Sequence, residues 1–381
     1  MFYTVFSTNV SPYMQWQSEL LEYSWKRVGQ EGALVRLVAT DRPDRLPQHK
    51  YARSVATKLW DVHPGSGDSY PIYNKPASLL EWVYTERPEG TVLLLDPDCV
   101  FRRPVTRRVS PGAPIGQNWV DLSVGMASAE SPFGLGERFG FLNDHCAATD
   151  SRIDPVMIPK LIHTSDLRRI AARWLELCAV VRDNLRSGDG NKVWESDMYA
   201  YLAACAEYGL HHEQATLGIC PNWDPVLAPD APLIHYCQEI FDTDGGSIFA
   251  KGRYEPWTRL DASQPAARED GRDLVEIINA FIDDRASGVV TPPPGARPVR
   301  RDGVMEGRVL DDMLLEHPGE VSSLWVNASG KIIWEQCDGV RDIAAIGRDL
   351  AEAFEADPAA LTRDVQAVVA QLQAARLVDL R

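Results

Sequence analysis

The sequence of 381 residues contains no uninterrupted apolar run near the roughly 18 residues that a membrane-spanning helix needs, so no membrane partner is expected. It has no excess of positive charge. Its 39 Lys and Arg stand against 54 Asp and Glu, a formal net charge of -15. That balance opposes general nucleic-acid binding, which rests on neutralising phosphates. The opening residues, Met1-Phe2-Tyr3-Thr4-Val5-Phe6, lack a basic stretch and a small-residue cleavage site, and read as a first strand instead of a signal peptide. The seven cysteines are an odd number, and no two are spaced C-x-x-C. A disulfide framework or a zinc ribbon is therefore not expected, and a reducing, cytoplasmic setting fits best. Internal repeats are absent, and low complexity is confined to one proline-rich stretch.

What remains is ordinary globular material, 45% hydrophobic and 24% charged, with length for two or three domains at about 100–200 residues each. A strand over Tyr3–Ser7, a helix begun by Ser11 and Pro12 and closed by Gly29, and a strand over Leu34–Ala39 make a β-α-β opening. A helix over Pro76–Tyr84 leads into a strand over Val92–Leu95. This alternation predicts an α/β fold with a mostly parallel, doubly wound sheet. Residues 111–160 resist assignment. A long helix capped by Thr164 or Ser165 runs to about Leu185, and another runs from about Ser196 to Tyr208 with Gly209 after it. Residues 212–262 carry aromatics and prolines without periodicity and are read as irregular structure; residues 271–285 read as helix. The stretch 287–303, with Thr291-Pro292-Pro293-Pro294-Gly295, is expected to be a semi-rigid spacer. It would separate a catalytic domain (1–286) from a compact unit (304–381). That unit has two short strands (near Met313–Glu316 and Ser322–Val326), three helices, the last begun by Asp357 and Pro358, and a short final strand.

Chemistry concentrates at Thr91-Val-Leu-Leu-Leu-Asp96-Pro97-Asp98, where a wholly apolar strand ends in two carboxylates. Ligands of open α/β sheets gather at strand carboxyl ends, and two carboxylates there can hold a divalent cation that in turn holds a diphosphate. The same triplet also makes an ordinary strand-ending turn.

Three stretches resemble the plant peptidyl glycosyltransferases, the hydroxyproline O-arabinosyltransferases and peptidyl serine α-galactosyltransferases. They are Phe6-Ser7-Thr8-Asn9 with Pro12-Tyr13-x-x-Trp16-Gln17 and Tyr23-x-Trp25-Lys26; Asn74-Lys75-Pro76 with Leu95-Asp96-Pro97-Asp98-x-x-Phe101-x-x-Pro104; and Asp197-Met198-Tyr199-Ala200-Tyr201 with Ile234-His235-Tyr236. The resemblance spans residues 1–260 and implies a GT-A-like, Rossmann-type domain using a UDP-sugar with Mn²⁺ or Mg²⁺. The family tends to carry Glu where Asp96 and Asp197 stand. The resemblance implies Asp98 and His235 as metal ligands, with Asp96 on the ion or the ribose. Ser7, Thr8 and Asn9 would read uracil and ribose, and Lys75 would face the diphosphate. Gln17 is a polar exception among packing aromatics. Asp197, with Glu195 beside it at a helix start, would act as a general base or hold sugar hydroxyls. Each has a plainer reading: a core histidine at 235, a capping turn at 7–9, a solvated lysine at 75, and acids favoured by a helix dipole at 195 and 197.

Residues 304–381 resemble the PqqD-type leader-binding domains of peptide-modifying systems. The likeness is carried by Leu324-Trp325-Val326-Asn327-Ala328-Ser329-Gly330-x-Ile332-x-Trp334-x-x-Cys337-Asp338-Gly339, the Asp342 helix and Asp357-Pro358. It implies a winged-helix α+β unit that takes a leader peptide as an added strand. Its 14 Asp and Glu against 7 Arg and Lys oppose a DNA-binding role. Together the two resemblances imply a glycosyltransferase acting on a Ser- or Thr-type hydroxyl of a ribosomal precursor peptide. A transferase for small molecules or glycans with a structural C-terminal unit, and a non-catalytic peptide-binding scaffold, are the alternatives.

Overall fold

The computed structural model describes residues 1–44, 46, 50–120, 122, 140–142, 144, 153–185, 190–224, 228–261, 264–287, 291–309, 312–317 and 323–381. Most of the stretch left unassigned from sequence (111–160), and Ser322, lie outside them. The chain forms two compact units, residues 1–46 with 51–281, and residues 47–50 with 282–381.

The first unit is built on a seven-stranded sheet of order β3-β2-β1-β4-β7-β6-β8. Its strands are β1 (Phe2–Thr8), β2 (Ala33–Thr40), β3 (Ala52–Lys58), β4 (Thr91–Leu95), β6 (Ile115–Asn118), β7 (Val156–His163) and β8 (Glu213–Ala215). Only β7 runs against the rest. The chain winds outward from β1 to β3, then returns to place β4 on the other side of β1. A crevice opens at such a reversal, at the carboxyl ends of the two strands. Parallel register sets Phe6 opposite Leu95, so Ser7–Asn9 and Asp96–Asp98 leave adjacent strands at one edge. Val92 to Leu95 are fully buried, as a strand covered on both faces requires.

Helix α1 (Pro12–Arg27) starts where expected. The Ser11 side chain accepts the Met14 N–H, and Pro12 fills the first turn. Helix α2 (Asn74–Thr85) precedes β4, and helices α3 (Thr164–Asn184) and α4 (Ser196–Glu207) pack together, with α3 also against α2. The cap of α3 is neither Thr164 nor Ser165. It is His163, whose Nδ1 accepts the Ser165 N–H at 3.2 Å. The stretch read as irregular, 212–262, contains short strands. β9 (Gly218–Ile219) and β10 (Leu233–His235) join β5 (Cys99–Phe101) in a second sheet, and β11 (Ile240–Phe241) pairs with β12 (Ser247–Phe249). Helix α5 (Glu269–Ser287) follows. No described helix is long and apolar enough to cross a membrane.

The second unit has its own core, with Met313, Leu315, Leu324, Trp334, Ile346, Val365, Val369 and Leu372 buried together. Strands β14 (Met305–Val309), β15 (Asp312–Glu316) and β16 (Ser323–Val326) form an antiparallel sheet. Helices α6 (Ala328–Gln336), α7 (Ile343–Phe354) and α8 (Pro358–Ala374) and strand β17 (Val378–Leu380) follow. The expected spacer 287–303 is not free where it is described. β13 (Pro298–Arg300) pairs with β17, Ala296 enters the core, and Pro294 and Ala296 carbonyls accept N–H groups from the start of α7. Proline density stiffens this segment, and the backbone groups it leaves free are satisfied by folding onto its neighbours.

Candidate active site

The sheet edge brings two charged groupings together, one on each acid of Asp96-Pro97-Asp98. The first is organised by strand pairing. β5 begins directly after Asp98 and runs antiparallel to β10, with Cys99 opposite His235. The Tyr236 N–H donates to the Asp98 carbonyl at 2.9 Å. This register sets His235 Nε2 3.2 Å from Asp98 Oδ1, across 137 positions of chain. Lys251, just past β12, places its ammonium 2.5 Å from the other oxygen, Oδ2. Asp98 and His235 are both buried. Burial works against the Asp98 charge, but His235 and Lys251 outweigh it and hold the carboxyl well below its usual range. Burial likewise opposes charge on His235, and Asp98 reverses the balance, raising its pKa. Trp16 of α1 packs on Tyr236, Phe249 and Tyr254, which ties the His235 and Lys251 segments to the first helix.

The second grouping centres on Lys75, in the first turn of α2. Asn74 fixes that turn, accepting the Trp60 N–H at 2.6 Å and donating to Asp61 and the Pro71 carbonyl. The Lys75 ammonium sits 2.8 Å from Asp96 Oδ1 and 2.8 Å from Asp197 Oδ2. Burial would discharge this lysine; the Asp197 and Asp96 carboxylates outweigh it and push its pKa above the ordinary lysine value. Asp197 heads α4, where the Trp174 indole donates to its carbonyl at 2.7 Å and the Tyr70 hydroxyl lies 3.4 Å from Oδ1. Behind the pair lies Lys160 of β7, only 1% exposed, its ammonium 3.6 Å from the Tyr201 ring centre. Burial, then the Lys75 charge, lower its pKa to about 8.

The other expected residues are placed as follows. Thr8 Oγ1 accepts from the buried Arg36 guanidinium at 2.8 Å, and the Asn9 carbonyl accepts from it at 3.1 Å. Asn9 Oδ1 accepts the Ser11 N–H, and Ser7 Oγ donates to the Asn74 carbonyl at 3.4 Å. Arg36 thus holds the 8–9 turn from below. Gln17 is 1% exposed and donates within its helix to the Tyr13 carbonyl. The Glu195 carbonyl accepts the Met198 and Tyr199 N–H groups at the start of α4. Asp96 is ion-paired with Lys75 and stands apart from the grouping of Asp98, Cys99 and His235, whose ligand atoms lie within 4.8 Å of one another. Lys251, Tyr70, Arg36 and Lys160 had no signal in the sequence.

These residues fit a divalent cation. A carboxylate oxygen and an imidazole nitrogen 3.2 Å apart are a spacing two ligands of one ion share, and the mixed oxygen and nitrogen set suits Mn²⁺. Lys251 already supplies positive charge to Asp98 at that position.

A mostly parallel α/β sheet with acids gathered at its switch point, followed by a winged-helix-type α+β unit, defines the class. The profile of the hydroxyproline O-arabinosyltransferase family N-terminal domain matches residues 2–214, and the chain belongs to that family. The profile of coenzyme PQQ synthesis protein D (PqqD) matches residues 313–378. The chain is 28% identical over 252 residues to a peptidyl serine alpha-galactosyltransferase of Arabidopsis thaliana, covering 62% of this chain and 30% of that protein. It is 24% identical over 305 residues to hydroxyproline O-arabinosyltransferase 1 of Arabidopsis thaliana, covering 73% of this chain and 78% of that protein. The chain spans about a third of the length of the galactosyltransferase relatives it matches. Among solved structures, the galactosyltransferase LgtC with donor and acceptor sugar analogs overlaps at TM-score 0.42 and 14% identity, covering 74% of this chain and 95% of that chain.

Proposed function

We propose that this chain is a metal-dependent glycosyltransferase. It would move a sugar from a UDP-sugar to a Ser- or Thr-type hydroxyl of a ribosomally made precursor peptide whose leader is held by residues 304–381. The observation that carries this reading is the meeting of Asp98 with His235 at the sheet edge where Asp96, Lys75 and Asp197 also converge. Family membership and the names of the relatives support the choice of a peptide acceptor.

Asp98 and His235 would hold Mn²⁺ or Mg²⁺, with Asp96 toward the ion or the ribose. When bound, the ion neutralises the leaving diphosphate. Lys251, which pairs with Asp98, would add positive charge beside the diphosphate. Ser7, Thr8 and Asn9, steadied by Arg36, would read the nucleoside from the neighbouring strand end. Lys75 then serves to orient Asp96 and Asp197 more than to touch phosphate. Asp197, with Glu195 flanking it at the helix start, would act as general base on the acceptor hydroxyl or hold sugar hydroxyls.

In the second unit β16 pairs with β15 on one side and with no described strand on the other. That edge offers the unpaired backbone groups on which an extended peptide adds as a strand. A tethered leader raises the effective concentration of the core peptide, to the millimolar range for a short, well-matched link.

The test is a mass-spectrometric screen of UDP-sugars with candidate precursor peptides from short reading frames near this gene, with and without chelator. A hexose or pentose gain that the chelator abolishes is expected. In parallel, Asp98→Ala should lose Mn²⁺-dependent UDP binding by calorimetry. Wild-type binding by that variant would remove Asp98 from the metal site.

A further inference from the structure

Two cysteines, one of them close to the Asp98–His235–Lys251 grouping, come together from paired strands. Cys220 follows β9 directly, and Cys237 lies two residues past β10. The strands run parallel, with Ile219 opposite Ile234, so both chains leave the sheet on the same side. The sulfurs lie 2.7 Å apart. Cys220 is held in place: its N–H donates to Asp224 Oδ2 at 2.6 Å, and its carbonyl accepts the Trp223 and Asp224 N–H groups. Cys220 is 2% exposed, whereas Cys237 is half-buried and reachable. The other described cysteines, Cys99, Cys178, Cys205 and Cys337, are buried and contact no second sulfur among the described residues.

We propose that Cys220 and Cys237 form an intramolecular disulfide by exchange with a small-molecule disulfide of the glutathione class. A disulfide needs sulfurs that meet without backbone movement, and this pair meets that condition. Cys237 is the point of entry because it is the more accessible of the two. Its thiol loses a proton, and the sulfur attacks one sulfur of the small disulfide. That S–S bond breaks and a thiolate leaves. Cys220, its proton likewise lost, attacks the Cys237 sulfur and expels the second thiolate. One S–S bond forms in the protein and one breaks in the reagent. Two electrons pass to the small molecule, and the two protons end on its two thiols. The inference does not rest on the transferase reading.

The experiment uses the folded full chain treated with oxidised glutathione, then alkylated in denaturant and digested with trypsin. One tryptic peptide, Val193–Lys251, carries Cys205, Cys220 and Cys237 and has no internal Lys or Arg. The expected product carries one alkyl group, lacks two hydrogens and holds no glutathione; reductant restores three alkyl groups. Cys220→Ser should instead retain glutathione on Cys237, since the resolving thiol is gone. Three alkyl groups on the oxidised wild-type peptide, or a lasting glutathione adduct on the wild-type chain, would overturn the proposal. Because the wild-type reading decides by itself, a poorly folded variant does not blunt the test.

Discussion

The Asp197 carboxylate and the Lys75 ammonium stand 2.8 Å apart. Asp197→Asn keeps the shape and removes the charge. As general base, Asp197 is worth about a hundredfold in turnover, which the variant should lose, while the melting temperature stays near wild type. Full turnover in a folded variant would leave Asp197 as a helix-start residue only. Lys160 allows a test by pH. Its pKa in the folded chain is lowered to about 8 by burial and by Lys75. The unfolded chain therefore binds this proton more tightly. The penalty on folding is complete below pH 8, shrinks as pH rises toward the ordinary lysine value, and is gone beyond it. Lys160→Met should stabilise the protein at pH 7 by roughly 1–3 kcal/mol, the lost Tyr201 contact offsetting part of the gain. Denaturant melts at pH 7 and pH 9.5 should show that advantage narrowing; a constant difference would argue against a buried charge. Much of this scale was hidden in the sequence. Asp98 stood out as a carboxylate ending an apolar strand and His235 through resemblance, while Lys251 lies 153 positions from Asp98 in a segment without periodicity. Nothing local marks a lysine whose partner is chosen by tertiary folding.

Elements announce themselves when their ends carry capping chemistry. Helices α1 and α8 were legible from Ser11-Pro12 and Asp357-Pro358 because oxygen-bearing side chains and proline suit those positions. Helix α3 was legible along its length but not at its start, since histidine is an uncommon cap. Strands β5, β9 and β10 are two or three residues long, too short for alternation to register, yet they set the Asp98–His235 contact. The cap on α8 gives the measurable case. Asp357 accepts the Ala359 and Ala360 N–H groups at 3.2 and 3.1 Å. Asp357→Ala should cost about 1 kcal/mol, read as a lower denaturation midpoint for the C-terminal unit. Asp357→Asn should recover most of it, and equal loss in both variants would point to charge instead of capping.

At the scale of the whole molecule, each unit has its own buried core, and the proposed labour divides along the same line. A chain ending near Ser287 should keep transfer from UDP-sugar but lose its preference for leader-bearing peptide. The comparison is turnover of leader-containing and leader-less precursor by full-length and shortened chains. Only the pairing of full chain with full precursor should be fast, and equal rates in all four would reduce the second unit to an appendage. The parallel sheet was readable because βαβ alternation extends over a hundred residues, and the C-terminal unit because its Asn-x-Ser-Gly and Asp-Gly spacing is compact. The stretch 287–303 reads as a spacer from its prolines, and its described part folds onto the second unit. Proline content reports stiffness, whereas the pairing of β13 with β17 depends on a strand some eighty residues away.

The side of β16 that pairs with no described strand has a cost in solution behaviour. An uncovered strand margin templates any extended backbone, including that of a second copy of the same chain. Without peptide, concentrated protein should show reversible, concentration-dependent self-association in sedimentation velocity, and added leader should disperse it by competing for the same margin. Aspartate substituted for Trp325 in β16 should alter both behaviours together, because crowding and recognition would draw on one row of backbone groups.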